Sequence, residues 1–363
     1  MRLKEKATGW LLLAALQSAL AQQPAAGGTS PAPPTVQQLE ALLDRFDVPG
    51  VAVATLKDCE PEGTDIVAGR ASLHPPSPVR RATVFEAASL SKPVFAWLVM
   101  QLVDEKLIDL DQPFAETFDY ARIPDKAAYA RLTPRMVLVH RTGLPNWVDG
   151  QTDFPDRVAA IPFDHPPGTA YSYSGEAFQL LQAFVEKTTG QTLQALFQAR
   201  LGRWMPHSTF TRPLRAGTVP SRGYGSARAA SGGRDMTNLT HFSLAAASLV
   251  TTAQDYARFL SLVCKREGLS RVAYDDMLRP HAPGSPEASP FQNSRGLGWA
   301  LTDLGGTTLV SHNGSNGEYR AFAGFVQESR DGIVILTNGV NGRALIEALL
   351  QLPTPPKNDE KSP

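Results

Sequence analysis

An α+β fold is predicted by three features of the sequence: an antiparallel sheet drawn from both chain ends, flanked by helices, with a mostly helical second subdomain between them. A helical repeat followed by a buried strand opens the domain. Four short β-rich runs and an apolar helix close it, and helical patterns joined by Pro- and Gly-rich loops fill the middle without any internal repeat.

In chain order, residues 1–21 place Arg2, Lys4 and Lys6 before an apolar run from Trp10 to Leu20, with Ala19 and Ala21 spaced like the small residues of a cleavage site. This is the pattern of an export signal. The run falls short of the ~20 apolar residues that a membrane span needs, and no cysteine follows to accept a lipid. The expected mature chain therefore begins near Gln22 and is exported, to the periplasm or beyond, with no integral membrane segment. Residues 22–35 read as a Pro/Gly/Ala linker, 36–352 as the folded domain, and 353–363 as a tail too polar to pack.

Within the domain, Leu39, Leu42, Leu43 and Phe46 have helical spacing, and GVAVATLK reads as a buried strand. FAWLVMQLVDEKL, FQLLQAFVEKT and DYARFLSLVCK are helical patterns. GLGWAL, TTLVSH, YRAFAGFV and GIVILTNG, separated by Gly and Asn, predict an antiparallel meander that ends in the helix ALIEALLQL.

With 363 residues and 42% hydrophobic content, the chain can bury a large core. Lys+Arg and Asp+Glu balance at 35 each, so no net field favours nucleic acid or an anionic membrane, and the expected partner is a small molecule. Cys59 and Cys264 are too few for a disulfide framework and leave open either one bridge or two thiols.

The candidate chemistry begins at FEAASLSKPVF. Pro93 fits only the first turn of a helix, so the helix starts close to Ser89, and Ser89 and Lys92 share one face. A serine at a helix N-terminus has N–H groups beside it that favour an oxyanion, and a buried lysine one turn on can take its proton. The same four residues also fit a capping serine and a lysine that reaches solvent. Elsewhere, PPGTAYSYSGEAFQLL puts Tyr173 just before a helix, and SHNGSNGEYRAF puts His312, Asn313 and Gly314 at a strand end.

That order of motifs resembles the penicillin-recognising serine hydrolases. VPGVAVATLK, TVFEAASLSKPV, LTPRMVLVHRTGLPNW, PPGTAYSYSG, SLVTTAQDYARFL, RGLGWAL and HNGSNGEYRAF are similar, in the same order, to segments of the class C β-lactamase-like family. The family includes β-lactamases, D-alanyl-D-alanine carboxypeptidases (penicillin-binding proteins), D-amino-acid peptidases and amidases, and family VIII carboxylesterases. The resemblance implies a β-lactamase/transpeptidase-like fold and a covalent acyl-serine mechanism on a small ester, peptide or β-lactam. Ser89 would be the nucleophile and Lys92 its base. Tyr173 would be the second proton carrier, as phenolate or hydrogen-bonded phenol, and His312 would stand where many relatives carry the lysine of Lys-Thr-Gly. The N–H groups of Ser89 and Ser315 would form the oxyanion hole, with Gly314 allowing close approach and Asn313 beside it.

One position departs from the pattern. Where the family's second motif commonly ends in asparagine, this chain has Gly175, which removes an amide that holds the substrate's acyl side, unless Asn316 replaces it. Glu176 reads as a first-turn carboxylate favouring the helix dipole. No Gly-x-Ser-x-Gly elbow and no H-E-x-x-H occur, and the seven histidines are scattered, so neither a metal nor another cofactor is expected. The rival from another class is a non-catalytic penicillin-binding-like module for peptidoglycan or another ligand.

Overall fold

The structure is a computed structural model that describes residues 33–63, 65–148, 159–211, 214, 217–236, 243–283 and 294–351. The expected export signal, nearly all of the linker and the tail lie outside the described residues. Among those described, no helix is long and apolar enough to cross a membrane.

Helix α1 (Val36–Phe46) starts at a capping box in which Thr35 and Gln38 each satisfy the other's backbone N–H. Strands β1 (Gly50–Lys57), β2 (Ile66–Leu73) and β3 (Pro76–Pro78) follow. From the far end of the chain come β4 (Ala282–Pro283), β5 (Ser294–Arg295), β6 (Ala300–Asp303), β7 (Thr308–Asn316), β8 (Tyr319–Val326) and β9 (Gly332–Thr337). They form one antiparallel sheet in the order β4-β5-β6-β7-β8-β9-β1-β2-β3, with the last strand pairing the first long one, Val53 opposite Ile335. The two chain ends thus share one sheet.

Alternation along β1 sorts side chains to two faces. Val51 and Val53 meet α1 through Leu42 and Leu43, and meet Leu345 and Ile346 near the end of the chain. Ala52, Ala54 and Leu56 face the larger core. That core holds α2 (Ser91–Asp104), α3 (Gly175–Thr189) and α4 (Ala253–Lys265), and α5 (Gly342–Leu350) closes the chain on the other face. Helix α2 is buried on every side from Ser91 to Met100, which explains why its sequence is apolar all round rather than striped. Cys59, in the turn after β1, is bonded to Cys264 near the end of α4, across a sequence separation of 205.

The GLGWAL run differs from its expectation. Only its last residues belong to β6, because Gly298 lies at φ +79 with its backbone pressed on α2, where a Cβ would stand 2.3 Å from that of Ala96. Its N–H donates to the Leu138 carbonyl rather than to a strand. Two-residue strands β4 and β5 are too short to leave a period in the sequence.

Candidate active site

Ser89 stands in a 3-10 turn, Ala88–Leu90, that leads into α2. Ala88, immediately before it, has φ +50, a conformation that a side-chain-bearing residue keeps only when its surroundings impose it. Those surroundings are explicit. Ser91 Oγ donates to the Ala88 carbonyl at 2.6 Å and accepts from Leu249 N–H at 3.0 Å, while Ala87 N–H donates to Leu249 O and Tyr256 OH to Leu90 O.

The turn brings Lys92 Nζ within 3.2 Å of Ser89 Oγ, and the same amine donates to the Ala246 carbonyl at 2.8 Å. Lys92 is 1% exposed and has no carboxylate partner among the described residues. Burial, helped by the charge of Arg295, lowers its pKa to about 7. The reading of Lys92 as a solvent-reaching lysine is therefore excluded.

Tyr173 sits in the extended stretch just ahead of α3, whose N-cap is Ser174. Burial pushes its phenol up to about 12, against a hydrogen bond with Ser89 and the charge of Arg295, so it rests as a phenol rather than a phenolate. Its ring centroid lies 4.7 Å from Lys92 Nζ.

Two residues that sequence reasoning missed hold this group. His140 stacks on the Tyr173 ring at 4.3 Å, and it bonds both neighbours of that tyrosine. Ser172 N–H donates to the His140 carbonyl at 2.9 Å, and Ser174 N–H donates to Nδ1 at 3.2 Å. An accepting Nδ1 puts the ring proton on Nε2, and burial keeps the imidazole neutral. Arg295, 2% exposed on β5, donates to Tyr171 OH at 2.6 Å, and its charge acts on Lys92, Tyr173 and His312. The signals were a histidine within the family-like HRTGL segment and an arginine opening RGLGW.

Strand β7 forms the opposite side. Gly314 passes so close to the chain before Ser89 that a Cβ there would lie 2.4 Å from the Ala87 carbonyl oxygen. Only glycine admits that approach. Ser315 and Asn313 are exposed, and His312 is 4% exposed with its ring 6.4 Å from that of Tyr173. His312 Nδ1 is 2.8 Å from the Asn313 carbonyl, which only accepts, so the proton is on Nδ1 and Nε2 is left as an acceptor. Burial, with Lys92 and Arg295, lowers its pKa to about 3. It is not a substitute cation.

Asn316 belongs elsewhere than its expected place as a substitute amide. Its Nδ2 donates at 2.5 Å to Glu86, a carboxylate that also pairs with Arg234. Glu176, expected to be a bland first-turn carboxylate, is fully buried, pairs with Arg122 at 2.8 Å and accepts from Val148 N–H at 3.2 Å. It fixes the loop beside Tyr173. Gly175 is buried against the Trp147 indole. Among the described residues no group of His, Cys, Asp and Glu could hold a metal ion.

Known proteins resemble this chain over most of its length. The chain is 26% identical to penicillin-binding protein 4 of Amycolatopsis lactamdurans over 331 residues, which is 84% of each chain. It is 31% identical to the esterase EstB of Burkholderia gladioli over 146 residues, 34% of this chain and 36% of that one. The solved structure of D-amino acid amidase from Ochrobactrum anthropi SV3, complexed with L-phenylalanine amide, has the same fold, with a TM-score of 0.71 at 20% identity over 86% of this chain and 97% of that one. The model of the Beta-lactamase family matches residues 36–352. With that match over most of its length, the chain belongs to the Beta-lactamase family and is a serine hydrolase of that family.

Proposed function

We propose that this enzyme is an exported hydrolase of carboxylic esters and neutral amides that works through a covalent acyl-Ser89 intermediate. The observation that carries the reading is the buried Lys92 amine, 3.2 Å from Ser89 Oγ and lowered to a pKa of about 7. At neutral pH a large share of it is the free base. Lys92 Nζ takes the Ser89 proton as Oγ attacks the carbonyl carbon, and the N–H groups of Ser89 and Ser315 receive the developing oxyanion. Tyr173, a phenol at rest, donates its proton to the leaving oxygen or nitrogen and is reprotonated from Lys92. Water then enters by the same relay in reverse and frees the acid.

The preference for neutral substrates rests on β7. β-Lactams and peptides ending in D-Ala carry a carboxylate beside the scissile bond, and the strand position that would meet it holds a neutral His312 with an accepting Nε2. Gly175 offers no amide, and that of Asn316 is held by Glu86. Export is supported by the Cys59–Cys264 bond, which persists in oxidising compartments.

Intact-mass measurement with a slow nitrophenyl ester or a fluorophosphonate is expected to show one adduct, on Ser89. Turnover of nitrophenyl butyrate should exceed that of nitrocefin in kcat/KM. An adduct on another residue refutes the nucleophile, and a higher kcat/KM for nitrocefin refutes the substrate preference.

A further inference from the structure

The segment from Leu144 to Val148 is tied along its length to the start of α3. Ser172 Oγ donates to Leu144 O at 3.2 Å, Ser174 Oγ to Pro145 O at 2.7 Å, and the N–H groups of Gly175 and Glu176 to Asn146 O. Gly175 N–H also donates to Asn146 Oδ1 at 2.9 Å. This clamp places the Trp147 indole directly on Gly175. A Cβ at position 175 would lie 2.3 Å from Trp147 Cζ2 and 2.5 Å from Cη2, closer than any real contact.

The direction of that missing Cβ locates the ring. Gly175 opens α3 two residues after Tyr173, whose side chain hydrogen-bonds Ser89, so a ring packed where the Cβ of position 175 would point stands at the tyrosine's end of the helix. The indole stands at the end of that vector. Trp147 packs part of its surface on the main core and remains partly exposed.

We propose that Trp147 is the specificity-determining residue of this site: its indole is the wall beside Tyr173 against which the substrate's acyl group lies, selecting flat apolar acyl groups, aromatic ones first. The proposal rests on the acyl-Ser89 reading above. A broad aromatic face rewards aromatic and extended apolar groups over a methyl, and it supplies no hydrogen bond to a polar acyl side chain. Gly175 is then the residue that makes room for the wall.

The test compares kcat/KM for nitrophenyl acetate and nitrophenyl phenylacetate in the full chain and its variants. The wild type is expected to favour phenylacetate on the order of 10-fold after correction for intrinsic ester reactivity. Trp147→Ala should bring that ratio to about one, and Trp147→Phe should keep most of it. Gly175→Ala, which displaces the ring, should lower the ratio as Trp147→Ala does, and adding it to Trp147→Ala should cost little more, because the two share one volume. A phenylacetate-to-acetate ratio in Trp147→Ala within about two-fold of wild type overturns the proposal, as does a Trp147→Phe variant no better than Trp147→Ala. Labelling of Ser89 by fluorophosphonate separates the two readings. A wild type that is not labelled refutes the acyl-serine mechanism, whereas normal labelling with an unmoved ratio refutes the wall alone.

Discussion

Lys92 and Arg234 are both cations drawn into the protein beside Ser89 and β7, and their surroundings treat them oppositely. Arg234 donates to Glu86 at 2.5 Å and to Glu318 at 2.8 Å; burial works against its charge, but Glu86 and its other acidic neighbours outweigh burial and hold the guanidinium above its ordinary value. Lys92 is more deeply buried and has a carbonyl, a hydroxyl and two aromatic rings around it, with no carboxylate among the described residues. The first arrangement stabilises a charge. The second makes a charge easy to lose, which is what a proton acceptor needs at neutral pH.

The sharpest way to break this contrast is to make Lys92 permanent. Lys92→Arg keeps a cation but removes the base, and kcat/KM should fall roughly 10³-fold or more, as in Lys92→Ala. Tyr173→Phe should lose a similar factor, and the double variant Lys92→Ala/Tyr173→Phe little more than either, because the two act in one relay. Losses that multiply would sink the relay.

Two pH profiles follow from the same lysine. Only neutral Lys92 accepts a proton, so kcat/KM should rise with pH through about 7. His312, lowered to about 3, and Tyr173, pushed up to about 12, add no limb in between. For stability the sign is the reverse of a paired lysine. Between about 7 and the ordinary lysine value of 10.5 the unfolded chain binds a proton that the folded chain lacks, so stability from this group rises with pH across that window and is flat below it. Lys92→Met should raise stability by about 1–3 kcal/mol at pH 6 or 7, and the gain should shrink toward pH 10. Denaturant melts at three pH values measure it. A gain that grows with pH would mean that Lys92 is not the depressed group.

Arg234 should behave conversely. Arg234→Met leaves Glu86, 2% exposed, with Asn316 as its remaining donor among the described residues, and should cost about 2–3 kcal/mol. The figure lies at the low end for buried pairs because the Arg234 side chain keeps 28% of its surface in solvent. A melt unchanged by this substitution would remove the structural half of the comparison.

How far the sequence reached follows the same division. The ends of the fold were legible because their periods are clean: α1, β1 and β8 coincide with VQQLEALLDRF, GVAVATLK and YRAFAGFV. Ser89, Lys92 and Tyr173 were legible as candidates through the order of their motifs and the family resemblance that order carries, not through any one motif alone. His140 and Arg295 were not, since each reaches the site from a segment remote in sequence and only tertiary packing brings it there. The pairing of Cys59 with Cys264 and the clash of position 175 with Trp147 were hidden for the same reason.

Asn316 offers the smallest effect and the finest test of the boundary between the two regions. It lies four residues beyond His312 on one strand, and sequence order alone made it a candidate to replace the amide missing at Gly175. In the fold its Nδ2 lies 2.5 Å from Glu86 Oε2, its carbonyl accepts from Arg234 at 3.3 Å, and its strand partner is Tyr319. A charge-assisted hydrogen bond to a buried carboxylate is worth about 1.5–3 kcal/mol, and Arg234 retains most of the neutralisation when it is lost. Asn316→Ala should therefore lower stability by about 1–2 kcal/mol. Assayed well below its melting temperature, it should keep kcat/KM on nitrophenyl butyrate within about three-fold of wild type, and its phenylacetate-to-acetate ratio should not move. A drop of about 10-fold or more in kcat/KM with stability intact would place the Asn316 amide on the substrate. The structural cluster would then end at Arg234, one residue short of where the hydrogen bonds now put it.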